Sequence, residues 1–159
     1  MSIPDNNFIN NVINEFVSGN KEKALKKLHK HIKKNDGDVL AKYNYAYMHH
    51  QLGNIKTAIQ YYTEVAKLSN NQWKSRQNLA LIYLDTKQYS KALKFINEVL
   101  LIKENYQPAL RDKALILFQL NQLDEALIKI KESIKLNNKD YIAYNTMGLT
   151  LLRMLKKDE

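Results

Sequence analysis

The side chains best suited to chemistry are those of four histidines. His29 and His31 are two residues apart, and His49 and His50 are adjacent, whereas metal ligands on one helical face are spaced three or four residues apart. The absence of cysteine excludes a disulfide, a thiolate metal site and a cysteine nucleophile. The sequence also has no glycine-rich phosphate loop and no nucleophile motif. We therefore expect a protein that is not an enzyme and that has no metal and no cofactor.

Length and composition favour one soluble domain covering residues 1–159. The chain is 45% hydrophobic and 26% charged, which is typical of globular proteins. No apolar run reaches the ~20 residues needed to cross a bilayer, so we expect no membrane partner. The opening sequence, MSIPDNNFINN, lacks the basic and apolar regions of a signal peptide. We expect a cytoplasmic location.

The formal net charge of +9 has two explanations. It could serve an acidic partner, or it could follow from A/T-rich codons, because Lys, Asn, Ile and Tyr are all frequent. Lys far outnumbers Arg, although the forked Arg side chain suits phosphate better. Many lysines crowd one predicted helix within residues 21–34, where a solvated outer face explains them. No aromatic residues interleave with them as a single-strand binder requires, which argues against nucleic acid.

An internal repeat of 34 residues organises the sequence. Its clearest markers are Ala24, Ala58, Ala92 and Ala126, which follow the similar segments GNKEK, GNIKT, KQYSK and NQLDE. A second series of small residues precedes the last three markers by twelve positions, at Ala46, Ala80 and Ala114, and Gly148 continues it. In this register the units are residues 5–38, 39–72, 73–106 and 107–140, followed by a C-terminal helix at 141–155.

Within each unit, apolar residues recur in steps of three and four, which predicts two amphipathic helices. Between the two runs lie Gly19-Asn20, Gly53-Asn54, Lys87-Gln88 and Asn121-Gln122. Glycine and asparagine tolerate the left-handed backbone that ends a helix. Each unit is thus predicted to be a helix–turn–helix, with its small residues where two helices approach closely. Stacked units form one continuous core that a single pair cannot form.

These features resemble the tetratricopeptide repeat (TPR) family in period, in the small eighth and twentieth residues, and in the large apolar twenty-fourth residue. The resemblance implies an all-α, right-handed α-α superhelix of four units plus a C-terminal half unit. It also implies that the first helices of the units line a concave groove. The sequence departs from the family at the fourth place, where Lys42, Arg76 and Leu110 replace the expected aromatic residue.

Groove-facing places implied by the resemblance predict a peptide-binding site. The sixth place forms a series of asparagines, and an amide can both donate to and accept from a peptide backbone. The ninth and twelfth places are mostly apolar. Two alternatives stay open, because asparagine is common at the sixth place without a ligand and the apolar stripe can be helix–helix core. The predicted groove residues are Asn10, Tyr43, Asn44, Tyr47, Lys74, Asn78, Leu81, Leu84, Arg111, Leu115 and Phe118.

The predicted function is a non-catalytic scaffold for a peptide or helix of a partner protein. The alternative is the repeat arm of a larger enzyme of glycosyl- or sulfo-transferase type, which would recruit its protein substrate. Family members that grip the terminal carboxylate of chaperone tails need five polar residues, of which only Asn44 and Lys74 are present here, and this argues against that ligand.

The last predicted helix has an apolar outer face. Tyr144, Met147, Leu151 and Met154 lie at the spacing that would contact a following helix, whereas a terminal capping helix should be polar there. We expect either a longer protein or burial of this face against another copy of the chain.

Overall fold

The computed structural model describes residues 6–68 and 72–156, and these form nine α-helices and no strand. The all-α class built from helix–turn–helix units is confirmed. The parts of the predicted domain at residues 1–5, 69–71 and 157–159 lie outside the described residues. The helices are α1 (Asn6–Val17), α2 (Lys21–Lys34), α3 (Val39–Gln51), α4 (Ile55–Leu68), α5 (Trp73–Asp85), α6 (Tyr89–Ile102), α7 (Gln107–Gln119), α8 (Leu123–Leu136) and α9 (Tyr141–Leu155).

The turn inside each helix pair has the same backbone geometry. Its central residue has a positive φ in all four cases, at Gly19 (97°), Gly53 (76°), Lys87 (59°) and Asn121 (61°). The next amide reaches back to a carbonyl of the preceding helix, as Gln88 N–H does to Tyr83 at 2.7 Å. This is the Schellman arrangement, which satisfies the last carbonyls of a helix. The predicted left-handed turns are therefore confirmed.

Two first helices begin at an aspartate that occupies the same place in the repeat. The Asp38 carboxylate accepts the Ala41 N–H at 2.9 Å at the start of α3, and Asp140 accepts the Ile142 N–H at 3.0 Å at the start of α9. Such a cap satisfies amides that have no partner within the helix. Pro108 lies in the first turn of α7, where its missing N–H has no consequence.

The chain divides into two compact units, unit 1 (Met1–Ser75) and unit 2 (Arg76–Glu159), with the division inside α5. A single domain over residues 1–159 stays a prediction. Helix contacts in both units occur at the predicted small residues, since the marker alanines are fully buried. One core cluster of unit 1 consists of Ile9, Val12, Phe16, Ala24, Leu28, Ile32, Ala41, Tyr45 and Met48. Unit 2 has clusters at Leu117, Phe118, Leu123 and Ala126, and at Ala114, Ile130 and Ala143.

Candidate peptide-binding surface

In unit 1, one side of α3 carries a stripe of residues that is not covered by the core. Leu40, Tyr43, Asn44 and Tyr47 follow one another at steps of three, one and three, which places them on one helical face. Leu40 is 39% exposed and Tyr47 is 45% exposed, while Tyr43 and Asn44 are half-buried. Ala41, Ala46 and other residues on the opposite side of α3 are buried. We call these four residues the α3 stripe.

The Asn44 side chain is held along its own helix. Its Nδ2 donates to the carbonyl of Leu40 at 2.8 Å, one turn earlier. An asparagine amide has two donor hydrogens and an acceptor oxygen, so this bond uses one of its groups and fixes the direction of the others. The orientation of the Asn44 side chain on the helix is thereby fixed.

Tyr43 is fixed against the core by Tyr62. The two ring centroids are 5.7 Å apart and the ring planes are inclined by 58°. Tyr62 is fully buried, and burial raises the pKa of its hydroxyl well above the usual range. A buried, neutral ring supports Tyr43 from behind, so that the α3 stripe has a rigid aromatic centre.

Two further predicted residues of unit 1 lie outside α3. Asn10 is exposed on α1. Lys74 is exposed in the first turn of α5, where its ammonium lies 5.7 Å from the centre of the Trp73 ring. Both side chains are accessible to solvent.

In unit 2, the predicted residues divide into half-buried and buried ones. Asn78, Leu81 and Leu84 on α5 are half-buried. Leu115 on α7 is also half-buried and packs against the Leu117 cluster. Each of these four side chains keeps part of its surface accessible.

Arg111 belongs to an ionic network inside unit 2. Its guanidinium donates to Asp140 Oδ2 at 3.0 Å and to Asp112 Oδ1 at 3.1 Å. The Gln107 amide donates to the same Asp140 oxygen at 2.7 Å and to Ser133 Oγ at 2.8 Å. Burial raises the pKa of the Asp112 carboxyl, and the nearby Arg111 opposes this shift. Arg111 therefore joins the start of α9 to α7, which sequence reasoning did not anticipate.

Phe118 lies in the core and not on an open surface. It is 5% exposed, and the Arg153 guanidinium lies 3.6 Å from the centre of its ring. At the sixth place the last two repeats have Asp112 and Thr146 instead of asparagine. Both side chains are buried and bonded within unit 2. Helix packing accounts for Phe118, which is the alternative left open for the apolar stripe, whereas Asp112 and Thr146 belong to the sixth place and are held by bonds within unit 2.

The structure brings two histidines together that are far apart in sequence. His29 of α2 stacks on Tyr45 with centroids 5.5 Å apart, and His49 of α3 meets the same ring edge-on at 4.4 Å. His29 Nδ1 and His49 Nε2 are buried and have no hydrogen-bond partner. Burial, and after it the nearby His29, lower the pKa of His49. Spacing along one helix could not reveal this cluster, because its members come from two helices.

Over residues 6–68 and 72–156, no group of three or more His, Asp or Glu side chains is arranged to hold a metal ion. None of the helices in these ranges is long and apolar enough to cross a membrane.

Comparison with known families supports the repeat assignment directly. A family model described as "Anaphase-promoting complex, cyclosome, subunit 3" matches residues 53–133, and one described as "Tetratricopeptide repeat" matches residues 12–72. The chain belongs to the tetratricopeptide repeat family. A search of curated proteins found no match to this TPR chain.

Several solved structures share the TPR fold of the chain. MamA (residues 41 to the end) from Desulfovibrio magneticus RS-1 is 20% identical, with a TM-score of 0.85 over 92% of this chain and 83% of that chain. YrrB, described as a TPR protein with an unusual peptide-binding site, is 17% identical, with a TM-score of 0.77 over 92% of this chain and 76% of that chain. The first TPR of Spaghetti (RPAP3), bound to the HSP90 peptide SRMEEVD, is 19% identical, with a TM-score of 0.70 over 74% of this chain and 93% of that chain. At these identities the likeness shows the fold alone.

Proposed function

We propose that this TPR chain is a non-catalytic interaction scaffold that binds a peptide or helix of a partner protein on the faces of its first helices. The observation that carries the proposal is the α3 stripe, in which Leu40 and Tyr47 are exposed around the oriented amide of Asn44. An exposed apolar pair around a polar group is typical of a surface that receives another chain. The solved structures of YrrB and RPAP3 support the proposal, because they are described with a peptide-binding site and a bound peptide.

The α3 stripe can supply both contacts that an extended peptide needs. The rings of Tyr43 and Tyr47 present apolar surface with little rotamer freedom to lose. The Asn44 oxygen and its second N–H can bond one peptide unit of the ligand backbone, whatever the ligand sequence. Specificity then comes from other side chains, of which Asn10 and Lys74 are the exposed polar ones predicted in unit 1. A protein ligand and a cytoplasmic location both belong to this proposal.

In unit 2 the proposal rests on fewer residues. Asn78, Leu81, Leu84 and Leu115 keep part of their surface, so they form its proposed binding surface. Arg111 is included only through the part of its side chain that the carboxylates leave accessible.

A peptide array probed with the full chain, followed by titration of the peptides it retains, tests the α3 stripe. Asn44→Ala should weaken binding about two- to tenfold, because one hydrogen bond contributes about 0.5–1.5 kcal/mol. Tyr47→Ala should weaken it about tenfold or more, because exposed aromatic anchors dominate such interfaces. Asn14→Ala is the matched control, since Asn14 is an exposed asparagine on α1 outside the predicted groove places.

Circular dichroism should show unchanged helix content in all three variants. Retained peptides whose affinity is the same for Asn44→Ala, Tyr47→Ala and the unsubstituted chain would overturn the proposal. A loss of equal size in Asn14→Ala would do the same.

A further inference from the structure

The outward side of α2 in unit 1 carries a concentration of positive charge. The eight exposed residues of this helix are seven lysines and one glutamate, with a formal charge of +6 out of +9 for the whole chain. The other second helices, α4, α6 and α8, carry formal charges of +1, +1 and 0. A/T-rich codons would spread lysines over all four helices, so they do not explain this difference. We call the seven residues the α2 lysine face: Lys21, Lys23, Lys26, Lys27, Lys30, Lys33 and Lys34.

Helix stability does not explain the α2 lysine face either. Lys33 and Lys34 lie in the last turn, where the helix dipole favours positive charge, but Lys21 and Lys23 lie in the first turn, where it disfavours it. In α8 the first turn is acidic instead. Like charges four residues apart on a helix also repel each other, and three such pairs follow one another on α2: Lys23–Lys27, Lys26–Lys30 and Lys30–Lys34. Residues that lower stability in this way are typical of a binding surface.

Glu15 of α1 shows how this face holds a carboxylate. Its Oε1 forms ion pairs with both Lys23, at 3.6 Å, and Lys27. The hydrogen bond from Lys27 lowers the pKa of Glu15, so this carboxyl is ionised at neutral pH. A carboxylate on a helix beside α2 thus bridges two lysines that are one helical turn apart.

The C-terminal half of the face has the same lysine spacing without such a carboxylate. Lys26 pairs with Glu22 at 2.8 Å on its own helix. Lys30, Lys33 and Lys34 form no ion pair with any carboxylate of residues 6–68 and 72–156. Their three ammonium groups are therefore available to carboxylates of another molecule.

The composition of the face favours an acidic polypeptide as its partner. No apolar or aromatic side chain is exposed on α2, and its apolar residues Ala24, Leu28 and Ile32 lie in the core. A helix that binds a membrane surface inserts its apolar side, and a binder of single-stranded nucleic acid stacks bases on aromatic rings. Lysine also lacks the fork with which arginine holds phosphate. Carboxylates are the anions that these lysines already bind, at Glu15 and Glu22.

From these observations we propose that the α2 lysine face is a docking surface for an acidic segment of a partner protein. Carboxylates of that segment, about one helical turn (5.4 Å) apart, pair with Lys30, Lys33 and Lys34 as Glu15 pairs with Lys23 and Lys27. The proposal goes beyond peptide binding by the α3 stripe and does not rest on it, because the two surfaces share no residue.

Titration of the full chain with a synthetic acidic peptide, followed by fluorescence anisotropy, tests the proposal. The probe is an alanine-based peptide of about 20 residues with glutamates at steps of three and four, long enough to be partly helical. Its dissociation constant should rise at least about threefold between ~50 and ~300 mM salt, because salt screens exposed charges. The same peptide with glutamine in place of glutamate should not bind.

A triple variant, Lys30→Gln with Lys33→Gln and Lys34→Gln, locates the binding. It should raise the dissociation constant about five- to tenfold, because it removes three exposed ion pairs of modest strength. Its matched control should change the constant less than about twofold, because salt screens charges that do not touch the peptide. The control loses the same charge from exposed lysines of α4 and α8: Lys56→Gln, Lys131→Gln and Lys135→Gln. Both variants should keep the helix content of the unsubstituted chain, because the replaced side chains are exposed.

A glutamate peptide that does not bind would overturn the proposal and leave the lysines as a solvated face. Equal weakening in the triple variant and its control would also overturn it. Tighter binding, at the same salt concentration, to vesicles with about 30% phosphatidylserine or to a single-stranded oligonucleotide would make the partner a membrane or a nucleic acid instead. Tyr47→Ala should leave the affinity for the glutamate peptide unchanged, so failure of this proposal and failure of the α3 stripe are distinguishable.

Discussion

In unit 1 the ring of Tyr45 is surrounded by aromatic side chains, whereas in unit 2 the guanidinium of Arg111 is surrounded by carboxylates. His29, His49 and Tyr61 lie within 5.5 Å of Tyr45, measured between ring centroids. Both centres join helices of successive repeats in the sequence, α2 to α3 in unit 1 and α7 to α9 in unit 2. Contacts between successive repeats are thus made by ring packing in unit 1 and by ion pairs in unit 2.

The capping aspartates show the same difference at equivalent positions. Asp38 accepts a bond from His31 Nε2 at 2.8 Å, while Asp140 accepts one from Arg111 at 3.0 Å. The cap geometry is shared because helix starts leave amides that need an acceptor. The backbone and the small residues recur in every repeat, whereas the residues at the other places differ between repeats. The side chain that bonds each capping aspartate therefore differs as well.

The fourth place of the repeat gives a third variation. Lys42 is buried and pairs with Glu64 at 3.2 Å in unit 1, and Arg76 pairs with Glu98 at 3.0 Å in unit 2. These glutamates are also one repeat apart. At Lys42 and Arg76 an ion pair therefore stands where the family has an aromatic residue, which explains two of the three departures seen in the sequence.

Replacing Arg111 should have the largest effect, and it should be confined to unit 2. Arg111→Met leaves the buried Asp112 carboxylate without its cation, and removal of one partner of a buried ion pair is strongly destabilising. We expect a loss of roughly 2–4 kcal/mol, at the lower end of such values because Arg111 is partly exposed. Urea unfolding with amide hydrogen exchange of α7 to α9 measures it.

The double variant Arg111→Met with Asp112→Asn is the control for that loss. It should recover part of the stability, because it removes the unpaired charge. A double variant as unstable as Arg111→Met alone would show that packing of the Arg111 side chain, and not charge, distinguishes unit 2.

Acidification from pH 7 to pH 5 should destabilise unit 1 more than unit 2. The pKa of His49 is lowered in the folded chain, so the unfolded chain takes up the proton first, and unit 1 loses stability as the pH falls below about 6.5. In unit 2 the pKa of Asp112 is raised by burial and the pKa of Asp140 is lowered, so protonation of these two carboxyls changes the stability of unit 2 in opposite directions. Hydrogen exchange between pH 7 and pH 5 should show α3 losing protection relative to α7.

His49→Phe should reduce the pH dependence of unit 1, because phenylalanine can keep the edge contact with Tyr45 and cannot ionise. His50→Phe, at the adjacent position of α3, serves as the comparison. The effect should be smaller than that of Arg111→Met, since a single partly exposed ring is involved. An unchanged pH dependence in His49→Phe would exclude His49 as its source.

The turns should give the smallest effects and should again separate the units. Unit 1 has glycine at both positive-φ positions, Gly19 and Gly53, whereas unit 2 has Lys87 and Asn121. Lys87→Gly should stabilise the chain by about 0.5–1 kcal/mol, because glycine avoids the cost of the left-handed conformation. Gly53→Ala should destabilise it by about 1 kcal/mol for the same reason. Thermal unfolding of both variants measures these changes. A change in stability of the same sign in both variants would contradict the explanation.

The sequence was sufficient to predict the helix pairs and their turns. The spacing of Ala24, Ala58, Ala92 and Ala126 sets the period, and the apolar steps of three and four set the helices, because both depend on local geometry. The sequence predicted less well which apolar side chains remain exposed. Leu81 and Phe118 share one apolar pattern, yet one keeps part of its surface and the other is buried.

The amino-acid sequence by itself determined the repeat, the helices and the left-handed turns, since each of these depends on residues within about one turn or one period of each other. Only the tertiary structure decided that His29 and His49 meet on one tyrosine, that Arg111 reaches Asp140, and that Met147 and Met154 face inward on α9. These contacts bring together residues up to 37 positions apart, and they depend on how packed helices rotate about their axes. A rotation of one helix by a single residue position changes which side chains meet, and spacing along the chain does not fix it.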